Sequence, residues 1–337
     1  MNNSESTASS QRTAALDVAK VVLAFFVLAL HCNLLQDIYP LAGDMLVNGL
    51  FRIAVPFFFV ANGYFLPEDH VSRRKWFLRV TVLYVVWMLI YAPLWLANLD
   101  GSSSTLTIMA KAFKVWVFGY HHLWYLVAML AGGLLIFLFS ALKSSTVTYV
   151  AAALFLAGVA IQYLGSYSVF HGKLGELLTY NWVHRNAVFT AFPFMWVGLL
   201  IKQYSIGGLS VRTQSEIVAR KRGVTVAAAA MLGVLLEALL NAVTGASTKG
   251  FDNLLSMGPA AASLFFIAVT IKLPLSRTKV IATLATAIYL LHPYLLLLTE
   301  SLYPSTPSPL TFIITALTTT LLSWIFVLLN RKLRWLL

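Results

Sequence analysis

The chain has 337 residues, of which 59% are hydrophobic and only 11% charged, with a mean hydropathy of +0.80; ordinary soluble domains carry about 25% charged residues. These values exclude a soluble globule and leave no room for a second folded domain, because about ten spans of about 20 residues each take up roughly 200 residues. The net charge of +12 and pI near 9.8 do not call for nucleic acid: in a membrane protein, basic loops held against an anionic leaflet account for them.

Residues 1–15 are polar and poor in apolar side chains, so they read as a disordered cytoplasmic tail, with a single polytopic domain over 16–337. The first apolar stretch reads as an uncleaved span and not a signal peptide, since Asp17 and Lys20 intrude and Cys32 follows His31. Hydropathy and breaker residues predict spans near 16–36, 45–66, 78–97, 121–141, 146–164, 187–204, 223–243, 255–272, 280–299 and 309–330. The predicted fold is an all-α integral membrane protein of about ten transmembrane helices. With the N-terminus inside, inner segments collect about 18 Lys and Arg against about 5 in outer segments, which orients both termini inward. The outer segment 165–186 is long and aromatic; it either covers an outward-facing site or belongs to the interfacial belt. Cys32 is the single cysteine, which excludes an intramolecular disulfide and any multi-cysteine metal site. No metal is predicted.

A charge within a span costs about 2.5–3.5 kcal/mol on insertion scales, so each polar residue there is a candidate. Lys20 and His31 are eleven residues apart, hence about 20° apart around a helix and about 16.5 Å apart along it. A ligand with anionic groups at one end and a reactive group about 15–20 Å away matches both, and acyl-coenzyme A has that shape. Neutral imidazole can accept a proton from an attacking hydroxyl. The bland reading is a His31 hydrogen-bonded within the bundle and a Lys20 that snorkels to the interface; spacing does not choose between them. Arg52 either binds an anionic acceptor, braces His31's surroundings or snorkels outward. For Glu237 a buried hydrogen bond is favoured over catalysis. Arg73, Arg74, Lys75 and Arg79 form a basic cluster that enforces topology or holds coenzyme A phosphates. Phosphate-loop, HExxH, GxSxG and H-x4-D patterns are missing, which removes ATPase, metalloprotease and hydrolase readings.

The segments ALDVAKVVLAFFVLALHC from Ala15, FRIAVPFFFVANGYFL from Phe51, HHLWYLVAML from His121, VFTAFPFMWVGLLI from Val188 and AIYLLHPYLL from Ala287, in this order, resemble the acyltransferase-3 family of bacterial membrane O-acyltransferases, in its short form without an appended soluble domain. ALDVAKVVLAFFVLALHC from Ala15 is similar to the family's opening pattern of a basic residue, ten positions and histidine, with Lys20 where arginine is more usual. FRIAVPFFFVANGYFL from Phe51 resembles its R-x-x-V-P-x-F-F segment, with Asn62 in place of a common serine. Arg79 matches the second arginine of an R-x-x-R pair; Trp76 stands at the first, leaving Arg74 or Lys75 as substitutes. HHLWYLVAML from His121, VFTAFPFMWVGLLI from Val188 and AIYLLHPYLL from Ala287 resemble further family segments.

The resemblance implies a multi-pass protein of the bacterial cytoplasmic (inner) membrane that moves an acyl group, usually acetyl, from cytosolic acetyl-CoA to a hydroxyl of a cell-surface or lipid-linked glycan. Acetyl-CoA is then a co-substrate; the partners are the glycan acceptor and membrane lipids. His31 is the implied catalyst, and Lys20, Arg74, Lys75 and Arg79 the acyl-CoA contacts. Arg52, Asn62, His122, Trp124, Tyr125, Tyr289 and His292 are candidates for acceptor or tunnel, although His292 before Pro293 can equally satisfy backbone groups, and for His122, Trp124 and Tyr125 an aromatic belt is favoured. The competing functions are a transporter or export module for a small amino acid and, third, a binding or sensor protein.

Overall fold

The computed structural model describes residues 14–99, 104–205, 214–246, 250–271, 273, 278–330 and 337; most of the predicted 1–15 tail lies outside these. Helix α1 (Ala14–His31) contains no Gly or Pro, and its apolar run is unbroken after Lys20. It packs along α14 (Thr278–Leu302), which in turn pairs with α15 (Ser308–Leu329). Among the described residues there is no strand, as expected for a chain whose backbone groups must be satisfied in lipid.

The predicted second span is a composite. Helix α2 (Pro40–Val47), a 3-10 turn (Leu50–Ile53) and α3 (Ala54–Tyr64) follow one another, and Pro56 falls in the first turn of α3, where a missing N–H costs nothing. The predicted third span is divided: α4 (His70–Ile90) ends at Tyr91, and α5 (Ala92–Ala97) begins around Pro93. Asp69 caps α4 by accepting from Ser72 N at 2.8 Å.

Next come α6 (Thr105–Phe118), a 3-10 turn (His121–Leu123), α7 (Trp124–Leu138) and α8 (Ser144–Ser166). The aromatic segment 165–186 folds into α9 (Gly172–Thr179) and α10 (Asn181–His184), then enters α11 (Phe192–Ser205) through a π turn at Ala187–Ala191. The side chain of Asn186 accepts from Val188 N and Phe189 N at the start of that turn. Helices α12 (Gln214–Val243) and α13 (Met257–Thr270) pack on each other.

Eight stretches among the described residues are long and apolar enough to cross a bilayer, against the ten predicted. The two that fall short are α4, whose first half carries Arg73, Arg74, Lys75 and Arg79, and α13, whose 14 residues rise only about 21 Å.

Two features hold the centre rigid. Gly63 on α3 and Gly198 on α11 let the helix backbones touch: a Cβ on Gly63 would lie 1.8 Å from Met195 O, and one on Gly198 2.0 Å from Val60 O. Small residues at such crossings are how membrane helices approach closely. The second feature is the non-helical segment Phe251–Ser256, whose backbone groups are satisfied by side chains from elsewhere. Asn48 Oδ1 accepts from Phe251 N, and Gln162 Oε1 from both Asp252 N and Asn253 N. Glu237 takes Leu255 N and Ser256 N, each at 2.8 Å, together with the Tyr163 hydroxyl at 3.0 Å. Glu237 is thus the hydrogen-bonded carboxylate that the sequence favours, and irregular backbone is tolerated here because protein groups replace water.

Candidate active site

Among the described residues, α1 lines two cavities that open into the bundle. The first, about 400 Å³, is lined by Lys20, Asn62, Arg79, Tyr125 and Tyr289 among others. The second, about 430 Å³, is lined by His31, Arg52, His121, His122, Trp124, Arg185, Asp252 and again Tyr289. Because Lys20 and His31 lie on one face of one helix, they belong to different cavities only through their separation along the axis, about 16.5 Å. Tyr289 is the residue where the two chambers meet.

The first cavity has a basic rim over an aromatic floor. Lys20 Nζ lies 3.9 Å from Asp17 Oδ1 and 5.2 Å from the Phe65 ring centre; Arg79 donates to Leu337 O at 3.2 Å. Trp76, at the position where the resemblance expects an arginine, lines the same cavity. Arg74 and Lys75 are exposed on α4 and do not line it. Asn62 donates to Phe58 O at 2.8 Å and to the Tyr125 hydroxyl at 2.7 Å, fixing that ring 5.5 Å from Tyr289.

Above the Tyr289 ring four imidazoles from three segments converge. His31 lies 4.8 Å from His121 and 5.2 Å from His292, centre to centre, and His122 lies 5.4 Å from His292. His292 is fully buried and its Nδ1 is 3.2 Å from Ile288 O. A carbonyl only accepts, so Nδ1 carries the hydrogen and Nε2 is left as an acceptor. This bond runs to a carbonyl one turn back on the same helix, and it coexists with ring contact to His31. Both ring nitrogens of buried His122 lack a hydrogen-bond partner among the described residues. No group of three or more His, Cys, Asp or Glu among the described residues is arranged to hold a metal ion.

Arg52 is not directed to solvent. It donates from Nε to Val47 O at 3.0 Å and from Nη2 to Asn48 Oδ1 at 3.4 Å, and it pairs with Asp252, which also takes Arg185 at 3.0 Å. Burial alone raises the Asp252 carboxyl, but Arg185 and Arg52 more than reverse that and hold it at about 2. Arg185 stacks 4.7 Å over Trp124. His121, Arg185 and Asp252 are the site residues that sequence reasoning passed over. His121 was eclipsed by the motif residue His122, and Asp252 lies in a short link between two apolar stretches, where only its partners reveal it. His121 also has φ of +48°, a left-handed conformation uncommon for residues other than Gly, in which His, Asn and Asp are enriched.

The model of the acyltransferase-3 family, an acyltransferase domain, matches residues 13–328. The chain is similar to an amino-acid racemase of Enterococcus faecalis, at 24% identity over 96% of this chain and 47% of the relative. It is also similar to a serine/alanine racemase of Enterococcus gallinarum, at 27% identity over 83% of this chain and 40% of the relative. The chain thus spans less than half the length of these relatives, and no solved structure matches it. A family match over nearly every residue, on an all-helical bundle with eight stretches long and apolar enough to cross a bilayer among the described residues, leads to one conclusion: the chain belongs to the acyltransferase-3 family and has the architecture of a multi-pass membrane domain.

Proposed function

We propose that the protein is an O-acyltransferase of the bacterial cytoplasmic membrane that takes acetyl from cytosolic acetyl-CoA and passes it to a hydroxyl of a cell-surface or lipid-linked glycan at the outer face. The observation that carries this reading is the meeting of the two cavities at Tyr289, one rimmed by Lys20 and Arg79, the other holding His31. In this reading Lys20 and Arg79 bind the donor's phosphates by charge-assisted hydrogen bonds, and the pantetheine arm follows the apolar wall of Phe58, Tyr125 and Tyr289 toward the histidines. The acceptor enters the other cavity.

The step itself needs one base. The acceptor oxygen attacks the thioester carbonyl carbon, a C–O bond forms and the C–S bond breaks. His31 takes the hydroxyl proton and returns it to the departing coenzyme A thiolate, so no net charge is left behind. Direct transfer needs fewer assumptions than an acyl-imidazole relay, because one neutral imidazole serves as base without surviving as a reactive intermediate.

The test uses sealed proteoliposomes of known orientation, with acetyl-CoA on the side of Lys20 and a glycan acceptor on the other. Modified acceptor across the membrane supports the reading; acyl transfer seen only when both substrates share a compartment refutes the opposed geometry. A second reading, movement of a small amino acid, draws on the two relatives named racemases. Accumulation of an unmodified amino acid without release of coenzyme A thiol would favour it.

A further inference from the structure

The second cavity carries information about what enters it. Its polar wall comes from three segments remote in sequence: Arg52 from the turn before α3, Arg185 after α10, and Asp252 from the link before α13. Both guanidinium groups converge on one oxygen, Oδ1 of Asp252. Arg52 and Arg185 differ in what remains of their donor capacity. Arg52 also bonds to Val47 O and Asn48 Oδ1, which turns its fork into the protein. Arg185 makes a single ion pair and donates to no other protein acceptor among the described residues. Its remaining N–H groups are held as a flat fork over the Trp124 ring.

Two cations and one carboxylate leave one positive charge in excess, and no other acid among the described residues lines this cavity. The link Phe251–Ser256 does not need Arg185 to hold it, because Asn48, Gln162 and Arg52 already satisfy that segment. A planar cation with spare donors, braced on an indole and facing a cavity, is the arrangement that recognises carboxylate or phosphate.

We propose that Arg185, stacked on Trp124, binds an anionic group of the acceptor, a carboxylate or a phosphate, and so selects charged acceptors over neutral ones. Placing that acceptor's hydroxyl at His31 rests on the acyltransferase reading above; the binding of the anion does not. Arg185 is a specificity residue in this scheme, and Asp252 restrains it by drawing one edge of the fork away.

The two sources of negative charge are separated by two probe pairs, measured by microscale thermophoresis on the purified full chain in nanodiscs. One pair is a glucuronate-containing tetrasaccharide and its carboxyl-reduced counterpart; the other is undecaprenyl phosphate and undecaprenol. We expect at least one charged probe to bind about tenfold or more tightly than its neutral partner, a difference that shrinks as salt rises. Which pair shows it names the source as sugar carboxylate or lipid phosphate. Arg185→Gln should erase the difference and Arg185→Lys keep part of it. Asp252→Asn, which frees the second edge of the fork, should strengthen charged-probe binding, whereas a merely structural ion pair would weaken it. The proposal is overturned if neither charged probe exceeds its neutral partner, or if Arg185→Gln keeps the preference. Coenzyme A thiol release, followed in the same preparations with acetyl-CoA and each probe, reports on the acyltransferase reading separately: charge preference with no thiol release removes that reading and leaves the anion site standing.

Discussion

The Tyr289 hydroxyl donates to the backbone carbonyl of His122 at 2.6 Å, pinning α14 to the turn before α7 at the place where both cavities end. The ring lines both cavities, so it narrows the passage that the donor's arm takes in the proposed reaction. Tyr289→Ala should widen that passage and admit water to the thioester, raising acetyl-CoA hydrolysis relative to acceptor modification. Tyr289→Phe keeps the ring and loses one hydrogen bond, a change of about 1 kcal/mol in stability, and should stay coupled. Thiol release with and without acceptor distinguishes these outcomes.

His31→Ala should reduce acyl transfer by about 10²–10⁴-fold, the range typical for loss of a general base, while expression and insertion stay normal. Radiolabelled acetyl transfer in membranes matched for protein abundance measures it. Retention of the ordinary rate would remove His31 from the chemistry.

Lys20→Ala and Arg79→Ala should raise the apparent KM for acetyl-CoA more than that for acceptor, since both line the first cavity; Lys20→Arg should be milder. Arg74 and Lys75 do not line that cavity, so Arg74→Ala and Lys75→Ala should change donor KM less. An equal effect from all four would mean that the donor is bound by diffuse charge.

Cys32 should be dispensable. It is buried against Leu28 and Leu296 and lines neither of the two chambers that meet at Tyr289. Cys32→Ala at normal abundance should keep its activity within about twofold, the size expected of a small packing change. Loss of activity would revive an acyl-cysteine route.

Stability should fall with pH through a window set by His184. Burial lowers this imidazole from 6.5 to about 4, with Asp252 opposing the effect. Between those values the unfolded chain binds a proton at this position that the folded chain does not, so the contribution of His184 to stability is full above pH 6.5 and declines as pH falls toward 4. Thermal unfolding in detergent across this range should show a slope, and His184→Gln should make it shallower by the share of this one residue. Asp252, held near 2, contributes a further loss only below its ordinary value of 3.8.

The all-helical membrane architecture is legible in the residue pattern alone, because long apolar runs in lipid satisfy their backbones within helices. So is the common face of Lys20 and His31, because eleven residues of one unbroken helix set their angle and separation without help from any neighbour. Hydropathy could not foresee the break at Tyr91 that divides the predicted 78–97 span, nor the composite built from α2 and α3, since these depend on where the chain finds partners for freed backbone groups. The rest of the site comes from the packing of segments distant in sequence. Arg52 meets Asp252 across 200 positions and Tyr289 meets His122 across 167, and no local periodicity encodes which of several buried polar residues will converge. Burial makes each of them seek a partner, but the packing of α3 against α11 through Gly63 and Gly198, and of α1 against α14, decides which partner is within reach.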